Sequence, residues 1–127
     1  MVISIRNLKK SFGNNLVFEN VNAEINRGDV IVVIGPSGCG KSTFIRCLNL
    51  LEQPDSGEII IDGVNITKKN TDIDRIRQKM GMVFQNFNLF SHKTILENVT
   101  LAPINVLKIP KKQAIAETFT YLKMVGI

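Results

Sequence analysis

Asp29-Val30-Ile31-Val32-Val33-Ile34-Gly35-Pro36-Ser37-Gly38-Cys39-Gly40-Lys41-Ser42-Thr43 is the stretch whose reading decides the fold. Its first part is an apolar run entered through Gly28, the pattern of a strand buried on both faces of a parallel sheet. Its second part matches G-x-x-x-x-G-K-[ST] at Gly35, Gly40, Lys41 and Ser42. Glycines let the backbone curl around an anion without Cβ clashes. Successive backbone N–H groups then point inward as a nest, and the helix that follows adds the positive end of its dipole. In such a loop Lys41 reaches the β- and γ-phosphates, the Ser42 hydroxyl binds Mg²⁺, and Ser37 and Thr43 add phosphate contacts. The stretch therefore predicts a loop, Gly35 to Thr43, that cradles the phosphates of a nucleoside triphosphate, ATP foremost.

Working outward, Ser42 to Leu51 carries Phe44, Ile45, Leu48 and Leu51 at helical spacing, and Pro54-Asp55-Ser56-Gly57 ends that helix. Upstream, residues 2–8 and 16–25 read as strands joined through the turn signal Gly13-Asn14-Asn15. Downstream, Glu58–Ile61 and Val64–Ile66 flank Asp62-Gly63, a hairpin signal. A short helix is expected over Asp72–Lys79 and a short buried strand over Met82-Val83-Phe84. Thr94–Val106 reads as helical, with Pro103 expected to kink or break it. Pro110 suits the first turn of a last helix running to about Lys123. The chain thus begins mostly as strands and ends mostly as helices.

Composition bounds the rest. The 127 residues make at most one domain, and a hydrophobic content of 44% supports a globular core. No run approaches the roughly 18 apolar residues needed to cross a bilayer, and the N-terminus is not a signal peptide; both point to the cytosol. The net charge of +5 permits polyanion binding, but the lysine pairs Lys9-Lys10, Lys68-Lys69 and Lys111-Lys112 are scattered, so nucleic acid is not an expected partner. Cys39 and Cys47 lie on one helix start, about 12 Å apart at helical rise, too far for a disulfide. They read as free thiols, and modification of Cys39, inside the loop, is expected to block nucleotide.

With the loop in place, the chain resembles the N-terminal part of an ATP-binding cassette (ABC) transporter ATPase, in order and over its whole length. Lys10-Ser11-Phe12-Gly13 resembles the segment whose aromatic stacks on adenine; Phe12 stands where the family usually has Tyr, and a phenyl ring keeps the stacking. Gly81-Met82-Val83-Phe84-Gln85 resembles the family's Q-loop, which implies that Gln85 binds Mg²⁺ and senses the γ-phosphate. The segment from Phe87 to Ile104 resembles the ATPases of polar amino-acid uptake systems, apart from Ser91, where that subfamily commonly has Pro. In the family this region, here Phe87–Thr100, touches the membrane subunit. Phe87, Leu89 and Phe90 suit either such a partner or packing within the helical region. His92 reads as a surface or interface residue, since the family's switch histidine lies later in the pattern.

The resemblance implies an α/β P-loop NTPase fold with an incomplete core. Residues 1–84 would form an antiparallel β-subdomain and the phosphate-loop core, and 85–127 the Q-loop and the start of a helical subdomain. The implied protein is the nucleotide-binding subunit of an importer for polar amino acids. It would sit on the cytoplasmic face of the membrane, bind ATP or ADP with Mg²⁺, and pair with membrane subunits and a second ATPase copy. The 127 residues contain no LSGGQ-like signature, no strand ending in Asp-Glu and no switch histidine. Little or no hydrolysis is therefore expected of this chain alone, and a gap is expected in its parallel sheet that exposes apolar faces. Two other readings are a non-catalytic nucleotide-binding or assembly module and a small-molecule kinase; the contexts of Phe12 and Gln85 argue against the second.

Overall fold

The computed structural model describes residues 2–127, and the chain divides into two compact units, Met1–Met82 and Val83–Ile127. Met1 lies outside the described residues.

The first unit is built on a four-stranded antiparallel sheet in the order β2-β1-β3-β4. Strand β1 (Ile3–Phe12) and β2 (Asn15–Ile25) form a long hairpin closed at Phe12↔Asn15. On its other side β1 pairs with β3 (Ser56–Ile61), in register from Ile3↔Ile61 to Lys9↔Ser56. The Asp62-Gly63 turn, with φ of 48° and 81°, joins β3 to the two-residue β4 (Val64–Asn65). Positive φ at both central residues matches the twist of the flanking strands.

Alternation along β1 and β3 sends Ile3, Ile5, Ile59 and Ile61 to one face, where they are buried with Leu8 and Ile66. Helix α1 (Lys41–Leu48) brings Cys47 to this core, and α2 (Ile73–Arg77) adds Ile76. α2 is shorter than the expected Asp72–Lys79 because Asp72 is its N-cap, accepting the Arg75 N–H, and the chain then tightens into turns. The Arg77 guanidinium reaches back to donate to the carbonyls of Asn49 and Leu50, each at 3.0 Å. Those carbonyls lie just past the end of α1, where intrahelical donors run out, so Arg77 ties the two helices together.

The pairing of β1 with β3 is irregular between Arg6 and Lys9, and β3 crosses this point at Gly57. Gly57 has a φ of +96°, and a Cβ there would lie 2.5 Å from the Asn7 carbonyl oxygen and 2.6 Å from the Leu8 Cα. These are backbone atoms of the central strand and cannot step aside.

Two expected strands do not form. Asp29–Ile34 has no strand partner among the described residues, and Val30 and Ile34 are 89% and 86% exposed. Met82-Val83-Phe84 likewise forms no strand, with Val83 99% exposed. A strand buried on both faces needs neighbours on both edges and a layer on each face; neither segment joins the antiparallel sheet of β1 to β4. The apolar patterns are present, and several of their side chains are exposed.

The second unit pairs α3 (Ile95–Asn105) with α4 (Lys111–Met124). Thr94 and Glu97 form a capping box at the start of α3, and the Thr94 N–H and hydroxyl hold the Glu97 carboxyl below its usual range. Pro103 does not break α3 at its own position; the helix ends two residues later, at Asn105. Pro110 stands as the N-cap of α4. Among the described residues no helix is long and apolar enough to cross a membrane.

Replacing Gly57 with Ala places a side chain at positive φ against backbone. It is expected to destabilise the first unit by at least about 2 kcal/mol, read as a lowered urea midpoint at unchanged slope.

Candidate functional site

The phosphate loop folds as a compact turn ahead of α1. The Cys39 N–H donates to the Pro36 carbonyl at 3.4 Å, Gly38 has a φ of +78°, and Gly40 has a φ of +95° as the N-cap of α1. No side chain caps α1, and its first turn carries no acidic residue. The leading N–H groups of the helix are therefore uncommitted to side chains, and the dipole they terminate is uncompensated.

Lys41 points back into this turn. Its Nζ donates to the Gly35 and Pro36 carbonyls at 2.8 and 2.6 Å and lies 3.7 Å from Cys39 Sγ. The ammonium has three protons, and these three contacts take them. The Lys41 charge is thus held inside the loop by main-chain oxygens. Ser37 and Ser42 are exposed, and Thr43 is half-buried on the first turn of α1.

The sheet holds the loop in place through one close contact. Val17, on β2, stands where a Gly40 Cβ would lie 2.3 Å from its Cγ1, and Phe18 packs edge-on to Phe44 of α1 with ring centroids 5.9 Å apart. A cleft of about 210 Å³ runs beside this contact, walled by Phe18, Val33, Ile34 and Phe44 and reaching Cys39 and Lys41. Val17 follows the hairpin tip at which Phe12 pairs with Asn15. Phe12 is thus carried on the same hairpin that abuts the loop, with half its surface exposed. Nothing in the sequence singled out Val17: it is one apolar residue in an alternating strand, and only the packing shows what it meets.

Of the residues the sequence marked, Phe12 and Gly35 to Thr43 all belong to the first unit. Gln85 belongs to the second, in an exposed bend. Phe87, Leu89 and Phe90 are 92%, 60% and 50% exposed, so they are not packed within the helical unit. His92 is exposed and meets the Phe90 ring edge-on at 6.0 Å. Among the described residues no three His, Cys, Asp or Glu side chains gather as a metal cage. The hard oxygens the loop's side chains offer are the hydroxyls of Ser37, Ser42 and Thr43. That suits a Mg²⁺ held mainly by phosphate oxygens and water, as is usual for this ion.

Comparison with known proteins agrees with this geometry. The ABC transporter family profile matches residues 18–127. The chain is 48% identical over 126 residues to the glutamine transport ATP-binding protein GlnQ of Geobacillus stearothermophilus, covering 99% of this chain and 52% of that protein. It is 49% identical over 126 residues to the arginine transport ATP-binding protein ArtM of Bacillus subtilis, covering 99% of this chain and 52% of the relative. Among solved structures it superposes on a dimeric ATP-binding cassette, MJ0796, bound to ADP and Pi. There the TM-score is 0.83 at 33% identity, over 96% of this chain and 56% of that one. The chain thus spans about half the length of the relatives it matches.

The two thiols differ in a way that checks the fold. Cys39 is exposed, whereas Cys47 is buried and its thiol is pushed from 9.0 up to about 11, chiefly by desolvation. A thiol-specific reagent at neutral pH is expected to label Cys39 quickly and spare Cys47. Because the Cys47 pKa is raised on folding, its contribution to stability is complete below pH 9 and is lost as pH rises toward about 11. Equal labelling rates in the native protein would contradict the burial of Cys47.

Proposed function

The chain belongs to the ABC transporter family, and from that premise we propose that it is the nucleotide-binding part of an importer for polar amino acids. The observation that carries this reading is the Gly35–Thr43 turn, set ahead of an uncapped helix with the Lys41 ammonium already inside it. In this reading the backbone N–H groups from Gly38 to Thr43 receive the β- and γ-phosphates of ATP. Lys41 exchanges its carbonyl partners for phosphate oxygens, and because these carry negative charge where the carbonyls are neutral, the new bonds are stronger than those given up. Ser42 and Gln85 supply oxygens to Mg²⁺, which neutralises phosphate charge, and Phe12 stacks on adenine. Gln85 then links the nucleotide to the second unit.

The amino-acid assignment is supported by what the relatives are named for, glutamine and arginine transport among them. In the intact protein ATP hydrolysis would drive uptake, with a second copy closing over the nucleotide; the MJ0796 cassettes that this chain resembles are dimers. The exposed Phe87, Leu89 and Phe90 suit the membrane subunit as their partner, with Phe87–Thr100 as the docking region on the cytoplasmic face.

Two measurements test the reading. Calorimetry with Mg²⁺ and ATPγS is expected to show binding by this chain, and Lys41→Ala is expected to weaken it by roughly tenfold to a hundredfold, the worth of a charged hydrogen bond. Binding that survives Lys41→Ala unchanged would remove the loop from the site. Phosphoryl transfer depends on groups placed around the γ-phosphate, and this chain carries no signature motif and no Asp-Glu strand end. A phosphate-release assay on these 127 residues is expected to show no sustained turnover, which the non-catalytic reading of this stretch also requires.

A further inference from the structure

Lys10 has no part in the phosphate loop, yet it is among the few buried charged residues of the first unit, 7% exposed. Its Nζ donates to the Gln53 carbonyl at 2.8 Å, pairs with Glu52 at 2.7 Å and stands 3.9 Å from Asp55. The same ammonium lies over the Phe12 ring, 4.6 Å from its centroid. Asp55 secures the neighbouring backbone as well: its carboxylate accepts the Ser11 N–H at 2.6 Å, and its own N–H donates to the Lys9 carbonyl at 2.9 Å.

We propose that Lys10 is a positioning residue for the nucleotide base: anchored on Glu52, Gln53 and Asp55, its ammonium holds the Phe12 ring in the orientation on which a purine stacks. This rests on the reading of Phe12 as the base-stacking residue. Phe12 ends its strand with half its surface exposed, so packing covers only part of the ring. A buried cation under one face restrains it further. It also draws on the electron density of that face, leaving the other better suited to an electron-rich purine. The anchor is well placed, because Glu52 to Asp55 follow the end of α1 and Gly40 begins it. The two ends of one helix thus hold the base-binding and phosphate-binding parts of the site. Hydrogen bonding to Glu52 raises the Lys10 pKa, so the charge persists at all physiological pH.

The test compares two probes with Mg²⁺, ATPγS and inorganic tripolyphosphate, which lacks a base. Phe12→Ala is expected to weaken ATPγS by about tenfold or more. Lys10→Met is expected to weaken it by about threefold to tenfold. Both should leave tripolyphosphate unchanged, Lys10→Arg should restore most of the ATPγS affinity, and Lys10→Met added to Phe12→Ala should cost nothing more. If Phe12→Ala leaves ATPγS unchanged, the stacking reading fails and this proposal falls with it. If Phe12→Ala weakens ATPγS and Lys10→Met does not, only the role of Lys10 is overturned. Equal losses for both probes on Lys10→Met, or losses that add in the double variant, would make Lys10 a stabilising residue and overturn the proposal. Should Lys10→Met not fold, Lys10→Gln, which keeps a donor for the Gln53 carbonyl without the charge, is judged by the same outcomes.

Discussion

The site depends on the close approach of Val17 to Gly40. At this point the long hairpin of the antiparallel sheet meets the N-terminus of α1 with no room for a Cβ. The contact sets where the helix begins relative to the sheet, and so where the phosphate loop lies and where its N–H groups point. It also explains why the position is glycine on two counts, the φ of +95° and the clearance to Val17.

From that contact the rest of the first unit follows as a framework around one short helix. Cys47 and the adjoining Leu50 bury against the isoleucines of β1 and β3. Arg77 closes the helix's far end by taking up the Asn49 and Leu50 carbonyls. Glu52 and Asp55, just beyond, turn back to Lys10 on β1. A helix of eight residues is too short to hold itself in water; it is fixed by sheet contacts on its side and at its start and by polar contacts just past its C-terminal end. Two lysines serve opposite needs within this frame. Lys41 is held by the main-chain carbonyls of Gly35 and Pro36, whereas Lys10 is held by the carboxylates of Glu52 and Asp55 together with the Gln53 carbonyl.

The apolar segment Asp29–Ile34 shows where reading the chain locally stops working. Its composition is that of a buried parallel strand, yet no strand forms there. Strand formation is a property of a pair, and none of β1 to β4 takes it as a neighbour. Met82-Val83-Phe84 is the same case. Pro103, expected to kink or break the helix, does not break it: a proline removes only the hydrogen bond its own N–H would make, and α3 runs on to Asn105.

What the sequence by itself determined is local. The phosphate loop, the Asp62-Gly63 hairpin, the helix after Pro110 and the family resemblance all rest on residue types at short, set spacings, where turn chemistry and periodicity act within a few residues. Only the tertiary structure decided that Val17 closes on Gly40, that Lys10 lies beneath Phe12 while reaching Gln53, and that Lys41 rests on the Gly35 and Pro36 carbonyls. Val17 and Gly40, like Lys10 and Gln53, are more than twenty positions apart. The third depends on a loop curvature that the motif permits but does not specify. Each is a question of which atoms pack together in space, and spacing along the chain carries no record of that.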